Sequence, residues 1–197
     1  MAFSNLKLND VKEKYGLEEF ETDLFPNLQS VVLSSQFTEN FKDFRSMPLP
    51  SLRAKSIFII APIILEAWKI CNKNFSIFSD EKIDINLEWV EKCSFVLNLN
   101  PKTIDVEHPF FILVQPENDN INLGFGQCVA QMYAAQKFNE IKKRDISSIY
   151  GCVATGDDWQ FLELKKNTIT FDNKRFYLNE VNNILGAFQY IVDKNYK

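Results

Sequence analysis

The chain has 197 residues, 46% of them hydrophobic and 24% charged, with 18 phenylalanines against six glycines. That is the composition of one packed globular unit, not of a disordered or low-complexity chain. A net charge of −4 argues against a surface dominated by phosphate contacts, though a local basic patch can sit on an acidic protein.

In chain order, the pattern predicts a short helix from Asp10, as N-cap, to about Leu17. Pro26 interrupts the pattern that follows. Leu33, Phe37, Phe41 and Phe44 recur at helical spacing, so a second helix is predicted over Ser30 to Phe44. Pro48 and Pro50 mark a turn, and Ser51 caps a longer helix running to about Cys71, kinked at Pro62. The longest apolar stretch, Ile57 to Ala67, contains Glu66 and is too short to span a bilayer. The N-terminal MAFSNLKLND has no basic-then-apolar signal pattern, so the chain reads as soluble and cytoplasmic.

The period then changes. Ile83, Ile85 and Leu87 alternate with polar residues, as in a half-buried strand. Cys93, Phe95, Leu97 and Leu99 alternate likewise, which sets Ser94, Val96 and Asn98 on the opposite face. Phe110 to Val114 is a continuous apolar run, expected of a strand covered on both faces. Gly124 and Gly126 close a loop, and a helix follows from about Gln127 to Glu140. Ile149 to Ala154 reads as a buried strand, Thr155 to Asp158 as a turn, and Trp159 to Leu164 as the second arm of a hairpin. Ile169 to Phe171 is predicted as a short edge strand. Asn179 is expected to cap a last helix that buries Val181, Ile184, Leu185, Phe188 and Ile191. The sum is an α/β (α+β) architecture, a mixed sheet flanked by helices. Residues 1–48 read as a helical N-terminal extension packed on the core, and residues 49–197 as the main domain.

Cys71, Cys93, Cys128 and Cys152 lie in or beside apolar runs without close pairing, and the only histidine is His108, so they read as buried free thiols. His108, before Pro109, reads as a turn residue. Trp159 and Phe161 read as hairpin packing, Trp68 and Trp89 as core or partner-facing. Thr155-Gly156 lacks the lysine and the preceding glycine of a phosphate loop.

Three stretches carry a family resemblance: AKSIFIIAPIILEAWK (Ala54 to Lys69), GFGQCVAQMYAAQKFN (Gly124 to Asn139) and IYGCVATGDDWQFLEL (Ile149 to Leu164). With the strand segment between them, in this order, the chain resembles the PD-(D/E)XK nuclease superfamily from about Pro50 to Ile191. It looks most like cyanobacterial stand-alone members akin to the N-terminal domain of type I restriction subunits. The resemblance implies a restriction-endonuclease-like mixed sheet for residues 49–197. It also implies a site in which an acid on one strand and acid-x-lysine on the next hold Mg²⁺ and activate water.

The site positions depart from that pattern. The acid-Phe pair is Ser94-Phe95 here, Glu-x-Lys is Gln115-Pro116-Glu117, and the glutamate often supplied by the first helix is Ile57. Gln127 remains where the family has a glutamine opening its crossover helix. Serine and glutamine bind a hard divalent cation poorly, and Glu117 sets a negative charge where the scissile phosphate is expected. No cofactor is therefore expected. Mg²⁺ would enter only through a displaced site of Glu91, Glu117 and Asp119, which otherwise read as solvated loop acids. Lys142, Lys143 and Arg144 could touch phosphates, or simply end a helix whose dipole favours cations.

The expectation is a catalytically degenerate nuclease-like protein that acts by binding, first of all to a protein partner. The alternatives are a pseudo-nuclease that still binds nucleic acid, and a Mg²⁺-dependent endonuclease with displaced ligands. Pairing of two copies stays open, since nuclease relatives often pair to cut both strands.

Overall fold

In the computed structural model, residues 6–81, 93–100 and 110–195 are described. Helix α1 (Leu8–Tyr15) precedes strand β1 (Glu18–Thr22), followed by α2 (Ser35–Ser46) and the four-residue α3 (Leu52–Lys55). A π-helical turn, Ser56–Ile60, joins α3 to α4 (Ala61–Ile70). Strands β2 (Ser76–Glu81), β3 (Cys93–Asn98) and β4 (Phe110–Pro116) come next. A 3₁₀ turn, Ile121–Gly124, opens α5 (Phe125–Ile141), and β5 (Ile149–Ala154), β6 (Asp158–Lys165), β7 (Thr168–Asp172) and β8 (Phe176–Tyr177) follow. A second 3₁₀ turn, Leu178–Glu180, leads into α6 (Val181–Asn195).

The strands form one open mixed sheet in the order β1-β7-β6-β5-β4-β3-β2, with β8 also paired to β6. The pairs β1/β7 and β4/β5 are parallel and the others antiparallel. The parallel β4/β5 pair needs a crossover, and α5 supplies it. Each face buries its own core. Helices α2, α4 and α6 cover a core that includes Ile60, Ile63, Phe75, Trp159, Phe161 and Phe188. On the other face, α1 and α5 cover Val11, Leu113, Cys128, Met132, Val153 and Ile169. The expected mixed α/β class, a sheet flanked by helices, is what the structure shows.

Several local expectations change. Helix α1 starts at Leu8, so Asp10 lies in its first turn and Lys7 takes the cap position; Gly16, at φ 63°, ends it. Helix α2 starts five residues after Ser30, at Ser35, because the Ser34 hydroxyl accepts the Phe37 N–H at 3.2 Å and fixes the start. Ser51 does cap as expected, accepting from Ala54 N–H at 3.2 Å. Pro62 falls in the first turn of α4, where its missing N–H leaves no helix bond unmade. Just before it the helix widens, and Ala61 N–H bonds Ser56 O across the π turn. Helix α5 begins two residues before Gln127, at Phe125. Asn179 lies inside the second 3₁₀ turn and does not cap α6.

The strands differ too. Strand β2 at Ser76–Glu81 was not expected, whereas the strand expected around Ile83, Ile85 and Leu87 lies outside the described residues, as do Trp89, Glu91 and His108. Cys93 joins the core of Val96, not that of Phe95 and Leu97, so alternation breaks at the start of β3. The same level of β2 is irregular, with Asp80 at φ 57° between the paired residues Ser79 and Glu81. Strand β7 is not an edge, because β1 pairs alongside it from Glu18↔Thr168 to Thr22↔Asp172. The segment expected to be helical thus also supplies a strand. The four cysteines are free and buried, and burial pushes the Cys71, Cys93 and Cys128 thiols up to about 12. No helix among the described residues is long and apolar enough to cross a membrane.

Candidate functional site

The chain end of β4, the start of β3 and the π turn meet at one cleft of about 550 Å³. The π turn supplies Ser56 and Ile57, α3 supplies Leu52 and Arg53, and β3 supplies Ser94 and Phe95. Pro116 of β4 and Asp80 of β2 complete its wall. Two residues separated in the sequence and singled out as degenerate site positions, Ile57 and Ser94, are thus brought together. The β3/β4 pairing ends at Phe95↔Val114, where Phe95 follows Ser94 and Val114 precedes Gln115 in the chain.

Gln115 is buried in β4 and pairs with Val153 of β5. Its Nε2 donates to the Pro116 carbonyl at 3.0 Å, and its Oε1 has no partner among the described residues. Glu117 follows the strand. Its N–H donates to the Ala154 carbonyl at 2.8 Å, and its Oε1 accepts the Asn118 N–H at 2.8 Å. A Cβ on Gly124 would lie 3.5 Å from the Glu117 Oε2, which places this carboxylate beside the residue preceding α5. A negative charge there suits the positive end of the helix, an effect of roughly 0.3–1 kcal/mol. Gln127 stands in the first turn of α5, partly buried.

The displaced metal site does not assemble among the described residues. The Asp119 carboxylate reaches outward to Lys55 Nζ at 3.2 Å, while Glu117 turns to Asn118, and Glu91 lies outside the described residues. No group of three or more His, Cys, Asp or Glu side chains among the described residues is placed to hold a metal ion. The basic run is elsewhere. Lys142, Lys143 and Arg144 are exposed at the far end of α5, where Lys143 takes a left-handed conformation and Lys142 lies over the Phe138 ring at 5.6 Å. The length of α5 sets them roughly 22 Å along its axis from Gln127.

Arg53, Ser79 and Asp80 also line the cleft, and sequence reasoning missed them. Arg53 gave no signal of its own, since it stands in a four-residue helix whose cap, Ser51, fixes the start without marking which side chain faces the cleft. Asp80 gave no signal, since its position depends on an irregular strand that shows no alternation. The molecule is of the mixed α/β class, an open sheet with helices packed against it. No family model, curated protein or solved structure matches the chain.

Proposed function

We propose that the chain is a catalytically degenerate nuclease-like protein of the PD-(D/E)XK type that works by binding, with a protein partner seated at the cleft of Ile57 and Ser94. The carrying observation is the chemistry of that cleft. Leu52, Ile57, Ala61, Phe95 and Pro116 form its apolar half, and Ile57 is 51% exposed where the first helix of the resembled family often supplies a glutamate. An exposed apolar side chain in a cleft whose wall is half apolar and half polar, with Arg53 and Asp80 among the polar half, is compatible with the apolar centre and polar rim of a protein interface. Ser94 and Gln115 offer neutral oxygens, which are weak ligands for a hard cation.

A nucleic-acid reading draws on the exposed Lys142, Lys143 and Arg144, but these stand at the other end of α5 from the cleft. The net charge of −4 also weighs against it.

Site-specific photo-crosslinking in the native host tests the proposal. A photoreactive residue at position 57 or 94 is expected to capture the same polypeptide, and one at position 142 is not. Ile57→Glu should lower capture from position 94 at least ten-fold. Capture of nucleic acid in place of protein, or DNA cleavage with Mg²⁺ or Mn²⁺ that Glu117→Ala abolishes, contradicts it.

A further inference from the structure

A groove opens between α2 and the chain that leads into α6. Its volume is about 560 Å³, within the range of small-molecule sites. The floor is apolar and comes from three segments: Leu33 before α2, the stacked rings of Phe37 and Phe41, and Leu178 with Val181 at the start of α6. The groove shares no lining residue with the cleft of Ser94.

The charge on its walls is all of one sign. Lys42 and Arg45, three residues apart and therefore neighbours on one helix face, both line it and both are exposed. Neither forms an ion pair among the described residues, in a chain with 26 acidic side chains against 22 basic ones. The acids nearest to them on α2, Glu39 and Asp43, do not line the groove, and neither does Glu180 beside Val181. Arg45 also borders a smaller opening with Asp157, again without an ion pair. Two neighbouring cations repel each other, and no carboxylate in the groove offsets them. An apolar floor under uncompensated positive charge matches a ligand with an apolar body and an anionic head. The planar fork of an arginine and the ammonium of a lysine are the donors that carboxylate and phosphate oxygens take best.

We propose that this groove binds a small amphiphilic anion, a negatively charged oxygen head group on a short hydrocarbon chain. The head sits between Lys42 and Arg45, and the body lies on Phe37, Phe41 and Leu178. Asn179, exposed on the opposite wall, adds an amide to the head-group side.

Four probes with one eight-carbon chain test this by NMR titration of the full chain: octanoate, octyl phosphate, 1-octanol and octylammonium. Saturable shifts are expected over residues 33–46 and 178–181 for the two anions, and whichever binds tighter names the head group. Octanol should bind at least ten-fold more weakly, and octylammonium should give no saturable shift. Raising the salt from about 20 to about 200 mM should weaken the anions and leave octanol unchanged. Lys42→Gln with Arg45→Gln alters two exposed positions, and circular dichroism checks that the fold is kept. The double variant should lose the preference for anions and keep the octanol affinity, whereas Lys42→Arg with Arg45→Lys should keep the preference. Equal binding of octanol and the anions, no saturable shift, anion binding that survives the double Gln variant, or tighter binding of hexaglutamate than of octanoate overturns the proposal.

Discussion

Asp172 ends β7 with its side chain almost wholly buried. Its Oδ1 accepts the Lys174 N–H at 3.1 Å, and its own carbonyl accepts from Gln160 Nε2 at 2.6 Å, so it ties the β7 turn to β6. Burial raises its carboxyl above the ordinary range. The nearby charge of Asp23 adds to the rise, and the Lys174 and Leu24 backbone N–H groups oppose it. The native state therefore holds this proton more tightly than the unfolded chain does. Stability from this group is highest below the ordinary carboxylate range and falls as pH rises through the window up to the raised value. Asp172→Asn removes the titration. In urea unfolding the variant is expected to gain on the parent between pH 3 and pH 7, and an equal difference at both pH values would refute this. Asp23 has the opposite sign: the Lys174 ammonium 2.6 Å away lowers its carboxyl. Its contribution is present above the ordinary range and lost on acidification.

Among the elements, α5 shows how a segment's docking is written into one glycine. Gly126 lies in the first turn of α5, under the chain at Leu6 and Lys7 that leads into α1. A Cβ there would press far inside contact distance of the Leu6 carbonyl oxygen. Helix propensity alone would make Gly126→Ala stabilising by about 1 kcal/mol. The close approach reverses the sign, and a net loss of roughly 1–3 kcal/mol is expected from overpacking. The urea midpoint measures it, and an unchanged or higher midpoint would mean that the N-terminal segment does not pack on α5. The same helix explains an error in its predicted start. It is buried along most of its circumference, including Gln131, Gln136 and Asn139, so no polar stripe marks its first residue. Strand β1 was illegible for the converse reason. Its sequence EEFET is exposed at every position and shows no apolar alternation, so only the backbone pairing with β7 defines it. The runs Phe111 to Val114 of β4 and Ile149 to Ala154 of β5 were readable because tertiary burial and local pattern agree there.

At the scale of the whole molecule, the sheet gathers the start of β3 and the end of β4 under the π turn, and this creates the cleft. Ile57 and Ser94, singled out by the family resemblance, both line the cleft, and Gln115 lies one residue beyond the last β3/β4 pair. Burial could not be read in advance. Gln115 has turned inward and bonds its own chain, and Glu117 sits against the start of α5, so neither lines the opening. Arg53 and Asp80, which do line it, come from a helix start and an irregular strand that no residue pattern announces. Glu66 entered the sequence reading only as the charge that interrupts the apolar stretch from Ile57. It stands three residues after Ile63 on the buried side of α4, an acid inside an apolar stripe.

Under the proposed function, the neighbourhood of Ile57, Ser94, Gln115 and Glu117 would be a metal site whose charged ligands have been replaced. The direct measurement is Mg²⁺ and Mn²⁺ binding, by calorimetry, to the folded variant carrying Ile57→Glu, Ser94→Asp, Gln115→Glu and Glu117→Lys. The account predicts saturable metal binding in that variant, accompanied by weak DNA cleavage or none, and no binding in the parent. A folded quadruple variant that binds no metal, or a parent that binds and cleaves, would contradict it.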